Sequence, residues 1–229
     1  MAARKTARDE AVPVAPAEPA AFANLRPLPR PFFARKTVPV ARDLLGKLIV
    51  QTHEGFPRRA ARIVEVEAYL GERDLASHAR RGPTPRASIM FGPPGYLYVY
   101  LIYGMYHCMN FVTERDGEAG AVLIRAAEPV FGFDGGGHAL LAGPGKLCRG
   151  FEITRLHKGL DLCAPTADFF VAADDAPARA IARSARIGVD YAGIWSGRLL
   201  RFFIASSKSV SRMPKPKAKE RSTTRSTHS

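Results

Sequence analysis

The chain has 229 residues, 46% of them apolar, enough to bury one sizeable core; with its ragged ends set aside, about 180 residues remain, a length that favours one domain. No run of about 18 uncharged apolar residues occurs, and the N-terminus has neither the apolar segment nor the cleavage site of a signal peptide, which excludes a helical membrane protein and points to a soluble, unsecreted one. The net charge of +13 makes an acidic partner such as nucleic acid a natural candidate.

The Ala/Pro-rich lead AARKTARDEAVPVAPAEPAAFANLRPLPRP has no periodic apolar face, so residues 1–31 are expected to be unstructured. In TVPVARDLLGKLIVQ a short helix over residues 40–45 is stopped by Gly46, and a strand follows over residues 47–52. EGFPRR is a turn. A second strand, ARIVEVEAYL, alternates, with Val64, Val66, Ala68 and Leu70 on one face and Ile63, Glu65, Glu67 and Tyr69 on the other. Residues 71–95 are broken by glycine and proline and form a loop. A tyrosine-rich strand comes next, turning near Tyr103-Gly104 and returning through Thr113. GAVLIRAAEP is a further strand, the glycines at 135–137 mark a loop, and GPGKLCRGF opens a helix at about Pro144. APARAIARSARIGVDYAG reads as a short helix followed by Gly188, and RLLRFFIAS is the final strand. Hairpin-length connections outnumber crossovers. The expected fold is therefore α+β (mixed α/β): a single domain with a largely antiparallel curved sheet, a protruding hairpin and peripheral helices, spanning residues 32–212.

The charge is unevenly spread. Residues 208–229 hold seven Lys or Arg against the single acid Glu220, and residues 213–229 are expected to be a basic, solvated tail attracted to phosphate. Cys108, Cys148 and Cys163 form no C-x-x-C pair and leave an odd thiol, which suits buried reduced cysteines in a cytoplasmic protein and gives no zinc framework.

Several residues carry possible chemistry, each beside a plainer reading. Glu67 could lie on a solvated sheet face, and Arg125 could be its structural partner or could orient it for reaction. His78, in a loop, reads as a surface histidine, with a catalytic base or a ligand as the alternative. Five of the seven tyrosines fall within residues 96–106. Core packing accounts for Tyr96 and Tyr98. Tyr103 is different: beside a glycine at a hairpin tip it cannot reach the core of its own sheet, and an exposed ring on a basic protein suits insertion into a base stack.

RIVEVEAYLGERDLASHA, MFGPPGYLYVYLIYGMYHCMN, VLIRAAEP, GPGKLC and RIGVDYAGIW together resemble, in that order, the successive motifs of the alkyladenine (3-methylpurine) DNA glycosylase family. The resemblance implies a monofunctional base-excision repair enzyme, without cofactor or metal, that acts as a monomer on double-stranded DNA containing damaged purines and uses no membrane. It makes Glu67 the general base that activates a water, with Arg125 helping to hold both. Tyr69, His78 and Tyr100 would sandwich the flipped base, and Asn110 would disfavour guanine. Tyr103 would fill the gap left in the duplex, and Thr84, Arg86, Met105 and Tyr106 would lie near DNA. No lysine takes a place in this set, so a Schiff-base lyase step is not expected.

The chemistry suits that assignment. Extruding a base costs a few kcal/mol, and stacking on aromatic rings returns roughly 1–3 kcal/mol per base, so several rings are needed. A purine made cationic by alkylation already leaves readily, and one placed water with one carboxylate can suffice. A binding module without catalysis and a glycosidase or nucleosidase for small substrates are the competing readings. The first has no use for Glu67, Arg125 and His78 together, and the second ordinarily needs a second carboxylate. Two features fit less well. A strict two-residue turn at Tyr103-Gly104 would put Asn110 and Tyr100 on opposite faces, so a longer turn or a bulge is required. Ile194 and Leu199 stand where the family often has an acidic residue and a proline, and the loop FGFDGGGHALLAG is short.

Overall fold

Eight strands build one sheet in the computed structural model, which describes residues 20–52, 58–135 and 137–214. In chain order they are β1 (Leu48–Gln51), β2 (Arg59–Tyr69), β3 (Leu97–Ile102), β4 (Tyr106–Val112), β5 (Ala121–Phe131), β6 (Phe169–Ala172), β7 (Ile181–Ser184) and β8 (Arg201–Ile204). The helices are α1 (Arg30–Phe33), α2 (Thr37–Leu44) and α3 (Pro144–Gly150), joined by several 3₁₀ turns. The main path runs β3-β4-β5-β2-β1-β6, β8 adds to β2 and β7 to β8, and the ladders are antiparallel. This is the single mixed, largely antiparallel domain that the spacing of elements implied. The turn at EGFPRR falls largely outside the described residues, as do Gly136 and the chain beyond each end.

The main core lies on one side of the sheet, where α2 and α3 cover it. Val40, Ala41 and Leu44 of α2 pack with Ile63, Val66 and Ala68 of β2, Val122 and Ile124 of β5, and Leu147 of α3. Burying an aliphatic side chain of this size is worth about 1.5–3 kcal/mol each, which is why α2 can hold with no side-chain N-cap. Among the described residues no helix is long and apolar enough to cross a membrane.

Four expectations are corrected. First, Ile63 belongs with Val66 and Ala68 in the main core, whereas Val64 packs elsewhere with Ala126 and Ile204. The cause is a pair of irregularities: Ile63 pairs with Ala127, Glu65 with Ala126 and Val66 with Ile124, so Val64 on β2 and Arg125 on β5 are each extra residues in the ladder. Bulges of this kind bend a strand and re-aim side chains.

Second, residues 20–31, expected to be unstructured, pack on the domain. Leu25 is buried against Leu48, Val50 and Phe170, and the Leu28 amide donates to the Val171 carbonyl at 2.7 Å, covering the β6 edge. Third, β7 replaces the expected helix after residue 176. The Ala/Arg-rich stretch has good helix propensity, but pairing with β8 over Ile181↔Ile204 to Ser184↔Arg201 prevails. Fourth, the first long helix runs over Thr37–Leu44, starting a turn earlier than residue 40.

The hairpin question is resolved by register. Ile102 pairs with Tyr106, Tyr100 with Cys108 and Tyr98 with Asn110, so Tyr103, Gly104 and Met105 form a three-residue loop. Tyr98, Tyr100, Cys108 and Asn110 therefore share one face.

Candidate active site

A cleft of about 800 Å³ opens where β3, β4 and β5 meet the loops after β2 and before β8. Tyr69, His78, Tyr100, Asn110 and Arg125 all line it, together with Arg86, Tyr103 and Tyr106. Glu67 lies just beneath and is fully buried. Met105 is exposed at the hairpin tip. Thr84 lies in an adjoining small recess with Ser77, Arg80, Arg81 and Tyr191.

The β2 and β5 bulges aim Glu65, Glu67 and Arg125 to one side. Glu67 Oε2 accepts from the Tyr69 hydroxyl at 3.0 Å and from Arg125 Nη1 at 3.3 Å, and Oε1 accepts from the Ile187 amide at 2.8 Å. Arg125 Nε donates to Glu65 Oε1 at 3.0 Å. Burial works against the charge on Arg125, but the Glu67 and Glu65 carboxylates more than offset it and hold its pKa above the usual value. A second ion pair supports the other wall: Arg186 is bidentate to Asp74, at 2.5 and 2.8 Å, and also donates to the Ala68 carbonyl. Its guanidinium lies 4.6 Å from the Tyr69 ring centre. Glu65 Oε1 also accepts from Arg201 Nε at 2.6 Å, so three carboxylates (Glu65, Glu67, Asp74) face three guanidiniums (Arg125, Arg186, Arg201), all buried. A buried charge is tolerable only with such pairing.

The aromatic wall is equally constrained. The Tyr100 ring meets His78 edge-on at 4.6 Å between centres and Tyr98 at 5.4 Å, while Arg86 sits 5.1 Å from the Tyr100 ring centre. Tyr98 contacts His78 Nδ1 through its hydroxyl at 2.8 Å, and Asn110 Nδ2 donates to the Tyr98 carbonyl at 3.1 Å. Burial first, then the charges of Arg86 and Arg80, push the His78 imidazole down to about 4, so it is neutral near pH 7. Burial likewise raises the Tyr69 and Tyr100 phenols well above their ordinary range and takes Tyr98 to about 12.

At the hairpin tip Tyr103 is 83% exposed and has φ +52°, a left-handed conformation that a non-glycine residue adopts at a cost of about 1–2 kcal/mol. Tyr106 has a second contact: its ring packs on Gly145 of α3 so closely that a Cβ there would lie 3.0 Å from it. The glycine thus sets how near the hairpin approaches α3.

A family profile described as methylpurine-DNA glycosylase matches residues 31–208. The chain belongs to this family. It is thus a DNA glycosylase, a hydrolase of N-glycosyl bonds whose substrate is DNA. Relatives named "Putative 3-methyladenine DNA glycosylase" include one from Anaeromyxobacter dehalogenans, 54% identical over 188 residues (82% of this chain, 86% of the relative). Another, from Myxococcus xanthus, is 49% identical over 189 residues (82% and 95%), and one from Methanocella arvoryzae is 50% identical over 195 residues (81% and 96%).

For this DNA glycosylase the sequence-derived residue set needs additions. Tyr98, read as core, also fixes His78. Glu65, Asp74, Arg186, Arg201 and the Ile187 amide are absent from that set. The only signal for Glu65 is its spacing two residues before Glu67, whereas Asp74 and Arg186 are 112 positions apart and carry none. One expectation is revised: Lys146 of the GPGKLC motif lines the cleft, so an amine is present at its rim, where Nζ donates to the Ala139 carbonyl at 3.3 Å.

Proposed function

We propose that this DNA glycosylase is a monofunctional base-excision enzyme for alkylated or deaminated purines of the 3-methyladenine type, rotating the damaged nucleotide out of the duplex and hydrolysing its glycosidic bond with a water activated by Glu67. The observation that carries this reading is the occupancy of the Glu67 carboxylate. A carboxylate offers about four acceptor positions. Two on Oε2 are taken by Tyr69 and Arg125 and one on Oε1 by the Ile187 amide, which leaves one on Oε1 among the described contacts. A water held there has a proton acceptor, with the Arg125 guanidinium 3.3 Å from the same carboxylate.

The cleft suits the extruded base. Tyr69, His78 and Tyr100 supply the stacking surfaces, and about 800 Å³ accommodates a purine nucleotide. The neutral imidazole of His78 imposes no repulsion on a purine made cationic by alkylation, and the electron-rich tyrosine faces attract one. Asn110, pinned to the Tyr98 carbonyl, forms a fixed wall against which a base carrying guanine's exocyclic amine would clash. Tyr103, exposed on a strained tip at the cleft, is the group that fills the vacated stack, with Met105 beside it and Arg86 and Thr84 toward the phosphates. The enzyme works as a monomer.

Glu67→Gln tests the reading. The amide keeps the shape and loses the proton acceptor, so lesion-DNA affinity should hold while single-turnover base release falls at least a hundredfold. Release above a tenth of the wild-type rate would remove Glu67 as the base. Borohydride should trap no Lys146 adduct on DNA; a trapped adduct would replace hydrolysis with lyase chemistry.

A further inference from the structure

Glu65 is buried, ionisable and next but one to Glu67, yet it lines no part of the cleft. Its carboxylate is gripped from two directions. Oε1 accepts from Arg125 Nε at 3.0 Å, from Arg201 Nε at 2.6 Å and from the Ser211 hydroxyl at 2.9 Å, and Oε2 accepts from the Ser211 amide at 2.6 Å. The same end of the chain closes on Arg201, whose Nη2 donates to the Arg212 carbonyl and whose Nη1 donates to Ser184 Oγ at 3.0 Å. Ser211 thus makes two of the four hydrogen bonds to Glu65. It also lies three residues past the end of the family match at residue 208.

We infer that Ser211 is a positioning residue for base release, acting through Glu65 and Arg125 on Glu67. The inference rests on the reading of Glu67 as the general base. Distances decide the direction of influence. Arg125 reaches Glu67 at 3.3 Å, the longest bond of the set, and Glu65 at 3.0 Å. Its guanidinium is located by Glu65, and Glu65 in turn by Ser211 and Arg201. With the Ser211 hydroxyl gone, Glu65 Oε1 keeps its two arginines and Oε2 keeps the Ser211 amide, so the carboxylate is held by three bonds instead of four and can shift under the pull of Arg201. The Arg125–Glu67 contact lengthens first, because at 3.3 Å it already lies just beyond the usual N–H···O range of about 2.7–3.2 Å. The strap carrying Ser211 is seated against the fold, with Ser207, Ser209 and Val210 buried.

The test uses the full chain with Ser211→Ala, Ser211→Thr and, as the reference, Glu67→Gln. Release of methylated purines from a dimethyl-sulfate-treated duplex is followed in single turnover, and affinity is read on a duplex with one tetrahydrofuran abasic analogue. Ser211→Ala, which loses the hydroxyl and keeps the amide, should slow release about tenfold while affinity stays within about twofold, the loss expected for one hydrogen bond to a charged group. Ser211→Thr restores both donors and should restore the rate. If Ser211→Ala releases bases at the wild-type rate while Glu67→Gln is inactive, the inference is wrong and the general-base reading stands. If Ser211→Ala loses affinity and rate in parallel with its melting temperature, Ser211 is structural and the inference is likewise wrong. If Glu67→Gln itself releases bases, both fall together.

Discussion

The Tyr98 hydroxyl lies 2.8 Å from His78 Nδ1, and this contact fixes the imidazole that stands beside Tyr100 in the cleft. It turns a residue of the tyrosine strand that is itself almost wholly buried into the anchor of one facing the base. Burial, with Arg86 and Arg80 nearby, holds that imidazole at about 4 against an ordinary 6.5.

The pH consequence follows by linkage. Between pH 6.5 and 4 the unfolded chain binds a proton at His78 that the folded chain does not, so stability present above 6.5 is lost as pH falls through this window. The loss is a few kcal/mol at most, taking about 1.4 kcal/mol per pKa unit. His78→Gln removes this component. Urea titrations at pH 7 and pH 4.5 should show wild type losing more stability than the variant, and equal losses would mean that His78 is not held neutral.

The buried pair Arg186–Asp74 gives a second prediction. Both side chains are fully buried, and Asp74 also accepts from the Leu70 and Ala76 amides. Arg186→Met leaves an unpaired buried carboxylate and should cost about 3–5 kcal/mol in urea unfolding. Adding Asp74→Leu should recover much of that stability. Base release should not recover, because Arg186 precedes Ile187, whose amide contacts Glu67, and the ion pair that anchors this turn to Asp74 is then missing. Recovery of rate with stability would show that the loop needs no ion pair.

How much of this was legible in the sequence varies with the range of the interaction. Period-two alternation marks β2 and the tyrosine strand β3, the Tyr103-Gly104 turn marks the return into β4, and proline after glycine marks the start of α3 at Pro144, because these are local signals. Motif resemblance names Tyr69, His78, Tyr100, Asn110 and Arg125, which line the cleft, and misses Tyr98, which also lines it. The bulges at Val64 and Arg125 leave no such signal, although they decide which way Glu65, Glu67 and Arg125 point: a ladder's register depends on the partner strand, which a one-strand pattern does not contain. For the same reason local sequence predicts a helix in the Ala/Arg stretch around Ile181, and it places Leu25 in a tail although that side chain is buried against β1 and β6.

The C-terminal tail gives a third prediction, about salt. Residues 213–229 carry five Lys or Arg against one Glu, and they follow Ser211 and Arg212, both tied to the charge network. Deleting residues 213–229 should weaken DNA association at 50 mM salt and flatten the slope of log K against log salt, with each lost phosphate contact contributing about 0.9 to that slope. The single-turnover rate at saturating enzyme should be unchanged. A severalfold fall would place part of the tail within the site.

The last prediction separates Tyr100 from Tyr103. Tyr100 forms a wall of the cleft, in contact with His78 and Tyr98, whereas Tyr103 projects from the hairpin tip. Tyr100→Ala should remove a stacking face and lose about 1–3 kcal/mol of flipped-state stability for every lesion, whatever the opposing base. Tyr103→Ala should act through the duplex instead. Without the wedge the extruded nucleotide falls back, and it does so most readily where the pair it rejoins is stable, so a lesion in a mismatch should suffer less than one in a matched pair. Tyr103→Gly provides the control for backbone strain: it lacks the ring as Tyr103→Ala does but relaxes φ +52°, so it should be the more stable protein with the same flipping defect. Fluorescence of a base analogue at the lesion, read across matched and mismatched duplexes, distinguishes these outcomes. If Tyr103→Ala lost the same amount in every pairing context, or nothing in any, the hairpin tip would point away from the base stack, and the strain at Tyr103 would need another explanation.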